Sequence, residues 1–292
     1  MAYRRLPLPV EFVEYLVDGP EDARDLLIFH VGTPSAAVRW PGLISAAAEA
    51  GLRVASYSRA GYGASPRRAG RTVADEAAIS AALADRLGFE RFFTAGWSGG
   101  GPAALACAAL LGGRVRACLA LASIAPRTEA RDAWDRFWSE EDLAEWKVLA
   151  TGDATSLLRD YEASVVTFSR MTPAKFGAIG GPPDARAVAL HIKTEIQPAL
   201  ARSMRRAVSR GSSGYMDDNL AHARDWGFRV ADIGVPVVVR HGELDRLVPV
   251  AHGRWLAEAI PGARRRILPD AGHGSIALPW SAFIEDLVTA AE

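Results

Sequence analysis

Short apolar runs alternate with longer segments of helical periodicity along most of this 292-residue chain, and this alternation limits the folds that it can adopt. Each apolar run has the length and composition of a buried strand, and glycines end several of the helical segments. The pattern predicts an α/β fold with a mostly parallel sheet and helices on both faces. Strands are predicted at residues 26–29, 53–57, 91–95, 117–122, 235–240 and 265–268, with an antiparallel edge at 11–17.

The alternation stops between residues 126 and 226, where no strand pattern is found. This stretch is rich in helix formers, and loops are predicted at Pro182-Pro183 and at residues 209–214. We therefore predict a core domain of residues 1–125 and 227–292, with residues 126–226 inserted as a helical cap domain over one end of the sheet. The cap segment holds four tryptophans: Trp134, Trp138, Trp146 and Trp226.

The segment Gly96-Trp97-Ser98-Gly99-Gly100 lies between a predicted strand and an alanine-rich predicted helix. It has the G-x-S-x-G pattern of a nucleophile elbow, in which a serine sits on a sharp strand-to-helix turn and small neighbours relieve the crowding. The free N–H groups at the start of the helix favour negative charge beside the serine. Ser98 is therefore predicted to be a nucleophile; the alternative is a glycine-rich turn with an inert serine.

A serine hydroxyl needs a general base, and the base needs a carboxylate that fixes its tautomer. His273 lies between glycines in the loop after the last predicted strand, and we predict that it is the base. Asp245 follows the preceding predicted strand and is the predicted carboxylate, with Glu243 as the alternative. The order serine, aspartate, histidine along the chain is the order expected for a nucleophile elbow in an α/β fold.

These features resemble the α/β-hydrolase superfamily, in its capped branch of esterases, lactonases, epoxide hydrolases and prolyl aminopeptidases. The resemblance covers the predicted core on both sides of residues 126–226, about two thirds of the chain. Dehalogenases and epoxide hydrolases of this fold carry aspartate at the elbow, so the serine here implies acyl transfer through an acyl-enzyme. The resemblance rests on His30-Val31-Gly32-Thr33-Pro34, Ser58-Arg59-Ala60-Gly61-Tyr62-Gly63-Ala64-Ser65, Gly96 to Gly100, His241 to Pro249 and Gly272-His273.

The resemblance also implies an oxyanion hole made by the backbone N–H groups of Gly99 and Thr33. This chain has Val31 and Ser35 where family members usually have glycine, so Gly32 stays open as the second donor. The loop that contains Arg59, Gly61 and Gly63 is implied to have a structural role, with the arginine paired inside the core loops.

An apolar pocket over Ser98 is expected beneath the helical cap, and Trp97, His30 and Trp138 are predicted to bind substrate there. Prolyl aminopeptidases of this fold use acids of the cap to hold a free amino group, which Glu162 or Asp218 could do in this chain. The sequence shows no cluster of metal ligands and no dinucleotide fingerprint, so we expect neither a metal nor a cofactor.

The 34 basic and 34 acidic side chains balance, and no long basic run suggests nucleic acid or an anionic membrane as a partner. Cys107 and Cys118 lie in apolar segments and indicate a reducing compartment without a disulfide framework. Neither a secretory signal nor a segment long enough to span a bilayer is found. We expect a cytoplasmic monomer or homodimer whose partner is a small-molecule substrate.

The sequence therefore predicts a serine hydrolase that acts on a small to medium, partly apolar ester or lactone. The alternatives are a prolyl-type aminopeptidase or amidase, and a small-molecule binder or acyltransferase on the same fold.

Overall fold

The structure, a computed structural model, describes residues 2–9, 11–175 and 192–292; the loop predicted at Pro182-Pro183 lies outside them. Its strands are β1 (Arg4–Pro7), β2 (Phe12–Asp18), β3 (Asp25–His30), β4 (Leu52–Tyr57), β5 (Phe92–Trp97), β6 (Val115–Leu121), β7 (Val237–Gly242) and β8 (Arg264–Leu268). They form an eight-stranded sheet in the order β1-β2-β4-β3-β5-β6-β7-β8.

The sheet is parallel from β4 through β3 to β8, and β2 pairs antiparallel with both β1 and β4. This confirms the predicted α/β fold with a mostly parallel sheet. The prediction that residues 11–17 form the edge is wrong, because β1 pairs with the outer side of β2. Pro7 lacks an N–H group and is tolerated in β1 because β1 is the edge strand.

Successive side chains of each strand point to opposite faces of the sheet. Because these side chains are apolar on both faces, helices cover both. In β3, Leu27 and Phe29 join the apolar core on one face, while Leu26 and Ile28 join that on the other. Among the helices described, none has both the length and the apolar composition needed to cross a bilayer. In chain order they include α1 (Pro41–Glu49), α2 (Asp75–Leu87), α3 (Gly101–Leu110), α4 (Arg127–Ala130), α5 (Asp132–Asp135), α6 (Glu140–Thr151), α7 (Leu158–Ser169), α8 (Gln197–Ala207), α9 (Ser213–Ala223), α10 (Val250–Ala259) and α11 (Trp280–Ala290).

The described part of residues 126–226 contains α4 to α9 and no strand of the sheet. Buried acidic residues fasten two of these helices to the core. On α8, Arg206 Nη2 lies 2.6 Å from Glu14 Oε2, and on α9, Asp218 pairs with Arg59 and Arg71. Helices α8 and α9 are therefore held over the carboxyl ends of the parallel strands, the edge at which α/β sheets place their ligand sites.

Candidate active site

Ser98 directly follows β5 and is the first residue of the 3₁₀ turn Ser98–Gly100, which leads into α3. Its φ of 57° is in the left-handed region, which a non-glycine residue adopts only where the surrounding structure imposes it. Glycines make this turn possible: a Cβ on Gly96 would collide with the backbone of Gly100, and one on Gly100 with the carbonyl of His30. The local geometry is the strained strand-to-helix turn that the G-x-S-x-G pattern predicts.

His273 and Asp245 are hydrogen-bonded through Nδ1 and Oδ2, which lie 2.8 Å apart. The other carboxylate oxygen, Oδ1, accepts the backbone N–H groups of Leu247 and Val248, each at 2.9 Å. Because a carboxylate only accepts, Nδ1 of His273 carries the proton, and Nε2 of the neutral ring has a lone pair. His273 and Ser98 line the same cavity.

Asp245 has a second histidine neighbour, His241, for which no role was predicted from the sequence. Nε2 of His241 donates to the carbonyl of Val248 at 2.9 Å and lies 3.4 Å from Oδ2 of Asp245. Burial raises the pKa of the Asp245 carboxyl, but the two histidines outweigh burial and hold this pKa well below its usual range. Asp245 therefore faces His273 as a carboxylate.

Glu243, the alternative to Asp245, points elsewhere. It is exposed, and both of its carboxylate oxygens lie 2.7 Å from Nη2 of Arg254. Of the two acids, the structure brings only Asp245 into contact with His273.

Gly32 and Thr33 lie beside Ser98 in the loop after β3, and a Cβ on Gly32 would be 3.6 Å from Ser98 Oγ. Arg59 fixes this loop: its Nη1 donates to the carbonyl of Val31 at 2.6 Å and its Nη2 to that of Gly32 at 2.9 Å. The C=O and N–H of a trans peptide point in opposite directions. The N–H groups of Gly32 and Thr33, the two alternatives for the second oxyanion donor, therefore both point away from Arg59.

Asp218 is fully buried and holds Arg59 in place from α9. Its Oδ2 also accepts the hydroxyls of Thr33 at 2.7 Å and Tyr62 at 2.8 Å. Burial raises the pKa of the Asp218 carboxyl. The positive charges of Arg59 and Arg71 have the larger effect and hold this pKa well below its usual range. The cluster agrees with the structural role implied for Arg59.

The two acids considered for holding an amino group are not placed to do so. Asp218 is committed to the buried cluster, and Glu162 is exposed on α7 and does not line the cavity. The structure therefore removes the residues on which the likeness to prolyl aminopeptidases depended.

The cavity beside Ser98 has a volume of about 290 Å³. Of the three residues predicted to bind substrate, Trp97 and Trp138 line it; Trp134 and Trp226 are buried in the apolar core instead. Trp97 also donates from Nε1 to the carbonyl of His273 at 3.1 Å, and this bond holds the loop that contains His273. Residues 126–226 contribute Trp138, Asp142, Glu145, Trp146, Phe168, Leu200, Met204, Tyr215, Asn219 and His222 to the wall.

His30 is not part of the cavity wall, which corrects its predicted role in substrate binding. It is 2% exposed at the end of β3, with Nε2 3.1 Å from Thr94 Oγ1 and 3.9 Å from Cys107 Sγ. Burial lowers the pKa of His30 to about 3, so the ring is neutral in the core. The loop that follows His30, and not His30 itself, reaches the cavity.

Three polar residues of α9 line the cavity without having been predicted from the sequence: Tyr215, Asn219 and His222. Their spacing of four and three residues places them on one face of a helix. That spacing groups the three residues, but it does not show that their face borders the cavity.

The structure also bears on metals and thiols. Among residues 2–9, 11–175 and 192–292, no group of three or more His, Cys, Asp or Glu side chains could hold a metal ion. Cys107 and Cys118 are free, buried thiols.

The alpha/beta hydrolase fold family matches residues 25–278 of the chain. Two curated relatives are pimeloyl-(acyl-carrier protein) methyl ester esterases. The one from Aromatoleum aromaticum is 29% identical over 82% of this chain and 88% of its own length. The one from Nitrosomonas europaea is 24% identical over 95% of this chain and 96% of its own length.

Among solved structures, the enol-lactonase from Burkholderia xenovorans superposes with a TM-score of 0.66. It is 20% identical, and the match covers 98% of this chain and all of that one (100%). At this identity the likeness extends to the fold alone.

Proposed function

The chain belongs to the alpha/beta hydrolase fold family and is an esterase-type hydrolase; from that premise we propose that it hydrolyses small to medium, partly apolar esters through an acyl-enzyme on Ser98. One observation carries the proposal. Ser98 and His273 line one cavity, and Asp245 hydrogen-bonds to Nδ1 of His273 at 2.8 Å. The methyl ester named for both relatives makes methyl esters the first substrates to test.

In the proposed reaction, Ser98 Oγ attacks the ester carbonyl while Nε2 of His273 takes the hydroxyl proton. Asp245 keeps the proton of His273 on Nδ1, so that Nε2 is free to accept. The imidazolium that forms is stabilised by the ionised carboxylate 2.8 Å away.

The carbonyl oxygen gains negative charge as the tetrahedral intermediate forms. We propose that the N–H of Gly99, in the 3₁₀ turn before α3, and that of Thr33 or Gly32 donate to it. Arg59 orients the two candidate groups in advance, so they need no reorganisation during the reaction.

Collapse of the intermediate expels the alcohol, which takes the proton from His273. Water then attacks the acyl-enzyme with His273 again as base, and Ser98 is regenerated. The reaction has the same requirements for a lactone, whose alcohol stays attached to the acyl group.

The size of the cavity supports the substrate class. At about 290 Å³ it lies near the lower end of the range for small-molecule sites, roughly 300–1,000 Å³. The apolar part of its wall, from Trp138, Trp146, Phe168 and Leu200, suits an alkyl or aryl group. The cytoplasmic location stays a prediction from the sequence.

The test is covalent labelling combined with turnover. A fluorophosphonate probe should label Ser98, and the wild type should release methanol from methyl butyrate. Ser98→Ala should lose both properties, and His273→Ala should lower kcat by on the order of 10³ or more. Ser35→Ala, which removes the other serine of the cavity wall, should keep the label. Absence of labelling in folded wild-type protein would remove Ser98 from the proposed role.

A further inference from the structure

Helix α9 presents a row of polar side chains to the cavity beside Ser98. The row consists of Tyr215, Asn219 and His222. It is not part of the proposed triad or of the proposed oxyanion hole. Because these groups share the cavity with Ser98, they would touch a bound ester.

Within this row, His222 packs against the turn that contains Ser98. It is 5% exposed, and its Cε1 would be 3.1 Å from a Cβ on Gly99. A substituent on Gly99 would also collide with Thr33. The imidazole therefore packs directly on a proposed oxyanion donor.

The protonation of His222 determines what it can bind. Burial lowers the pKa of His222 to about 4, although Asp218 and the Gly99 backbone act to raise it. The ring is therefore neutral at neutral pH, with one N–H group that can donate and one lone pair that can accept. A hydroxyl both donates and accepts, so it can pair with whichever ring nitrogen faces the cavity.

The acidic residues of the wall only accept hydrogen bonds, whereas the hydroxyl of Tyr215 can also donate. Asn219 donates its Nδ2 to the Tyr161 hydroxyl at 2.7 Å, and this hydroxyl donates to Glu145 Oε1 at 2.8 Å. The side-chain carbonyl of Asn219 and the carboxylates of Glu145 and Asp142 are left as acceptors on this side of the cavity. No lysine or arginine is among the described residues that line the cavity.

The proposed reaction puts the leaving alcohol on the side of His273. His273 must reach the leaving-group oxygen to return its proton, so the leaving alcohol has to lie next to His273. His222 contacts Gly99 instead, beside the proposed position of the carbonyl oxygen. A substituent close to the carbonyl carbon on the acyl chain would therefore meet His222.

We propose that His222 selects esters whose acyl group carries a hydroxyl close to the carbonyl, and that the acceptors around it disfavour an acyl group ending in a carboxylate. This inference rests on the proposed function, since it needs Ser98 to form the acyl-enzyme. The acyl hydroxyl forms one hydrogen bond with the neutral ring of His222, which lines the cavity with Ser98. A terminal carboxylate would instead face Asp142 and Glu145 without a cation to pair with.

The experiment compares three methyl esters of similar size: methyl butyrate, methyl 3-hydroxybutyrate and monomethyl succinate. Proton release or methanol formation gives kcat/KM for each. The wild type should prefer the 3-hydroxy ester to methyl butyrate by roughly three- to tenfold, the effect of one neutral hydrogen bond. Monomethyl succinate should be the poorest substrate.

His222→Phe should bring the ratio of the hydroxylated to the plain ester close to one, and His222→Gln, which keeps an acceptor, should restore part of it. The ratio cancels any effect of either variant on acylation itself. Glu145→Gln should raise kcat/KM for monomethyl succinate relative to methyl butyrate by roughly two- to threefold, as for a partly exposed charge.

The inference is overturned if the wild-type ratio is near one, or if His222→Phe leaves it unchanged, while Ser98 is labelled and methyl butyrate is hydrolysed. Hydrolysis of none of the three esters, with no label on Ser98, would overturn the proposed function and the inference together. Labelling of His222→Phe by the fluorophosphonate probe verifies that this variant has folded around an intact Ser98.

Discussion

Replacing Asp245 by asparagine should abolish most of the activity while changing the shape of the site very little. The carboxylate accepts three close hydrogen bonds: the N–H groups of Leu247 and Val248 at 2.9 Å on Oδ1, and Nδ1 of His273 at 2.8 Å on Oδ2. Nε2 of His241 adds a longer contact of 3.4 Å to Oδ2. An amide has one oxygen and one NH₂ group, so it can serve only one of these two sides.

The two orientations of the amide differ in how many hydrogen bonds each leaves unsatisfied. Turning NH₂ toward the two backbone donors would leave both unsatisfied, at a cost of roughly 1–3 kcal/mol each. Turning the NH₂ group toward His273 makes only the long contact with His241 unfavourable. His273 can accept a hydrogen bond from this NH₂ group when its own proton moves to Nε2. The second orientation is the cheaper one. It is also the one that disables the base, because Nε2 then has no lone pair for the Ser98 proton.

We therefore expect kcat for methyl butyrate to fall by about 10⁴-fold in Asp245→Asn, the loss seen when the triad acid of a serine protease becomes an amide. This corresponds to about 5 kcal/mol of activation free energy. Steady-state methanol release measures the change, and ¹⁵N NMR of the histidine rings reports the tautomer of His273. Glu243→Gln is the matched control; this residue pairs with Arg254 at the surface, so turnover should stay within about twofold of wild type.

The reasoning is refuted if Asp245→Asn keeps more than a tenth of wild-type kcat, or if Nδ1 of His273 still carries the proton in that variant. A large loss in Glu243→Gln would likewise contradict the assignment of Asp245.

Three further perturbations test the groups around the proposed triad. Arg59→Met leaves Asp218 buried with one cation fewer, so the free energy of unfolding in urea should fall by about 3–5 kcal/mol, and a loss below 1 kcal/mol would contradict this. His241→Phe removes an N–H near the Asp245 carboxylate and should lower kcat roughly tenfold or more; in an Asp245→Asn background it should have little further effect, which a purely structural role would not produce. The pKa of Asp218 is lower in the folded than in the unfolded protein, so its stabilisation is present above pH ~4 and is lost as the pH falls below that value. Urea unfolding between pH 5 and 3 should therefore show a steeper loss for wild type than for Asp218→Asn, and equal slopes would count against it.

The sequence was sufficient to predict the residues that follow strand ends. Ser98 comes directly after β5, and Asp245 and His273 lie in the loops that follow β7 and β8; parallel strands bring their carboxyl ends to one edge of the sheet. Local signals, namely a glycine-flanked serine, a histidine between glycines and an acid after a strand, therefore identify residues that lie far apart along the chain. The edge of the sheet was less legible, because nothing in residues 4–7 distinguishes a short strand from a terminal tail.

His30 shows where such local reasoning fails. It lies two residues before Gly32, a candidate oxyanion donor, but side chains of a strand alternate between faces, and position 30 falls on the face where Thr94 and Cys107 lie. The place of His222 in the cavity wall could not be predicted for another reason. The orientation of α9 depends on contacts such as Arg59 to Asp218, which are 159 residues apart in the chain. Local periodicity groups residues on one face of α9, but it does not show which face these contacts turn toward Ser98.

The buried cluster around Asp218 links the two parts of the site that sequence reasoning treated separately. Asp218 holds Arg59, which orients the candidate oxyanion donors, and one turn later on the same helix His222 packs on Gly99. Lifting α9 away from the core would separate a buried ion pair, at a cost of about 3–5 kcal/mol, and would disturb the loop after β3, which contains the candidate oxyanion donors, at the same time. Helix α6 forms no ion pair with the core among its described contacts, and it is linked to α9 through the hydrogen bonds of Glu145 with Tyr161 and of Tyr161 with Asn219. Because the ion pair of Asp218 with Arg59 holds α9 in place, we expect substitutions on the cavity face of α9 to change specificity without displacing the groups that are proposed to stabilise the oxyanion.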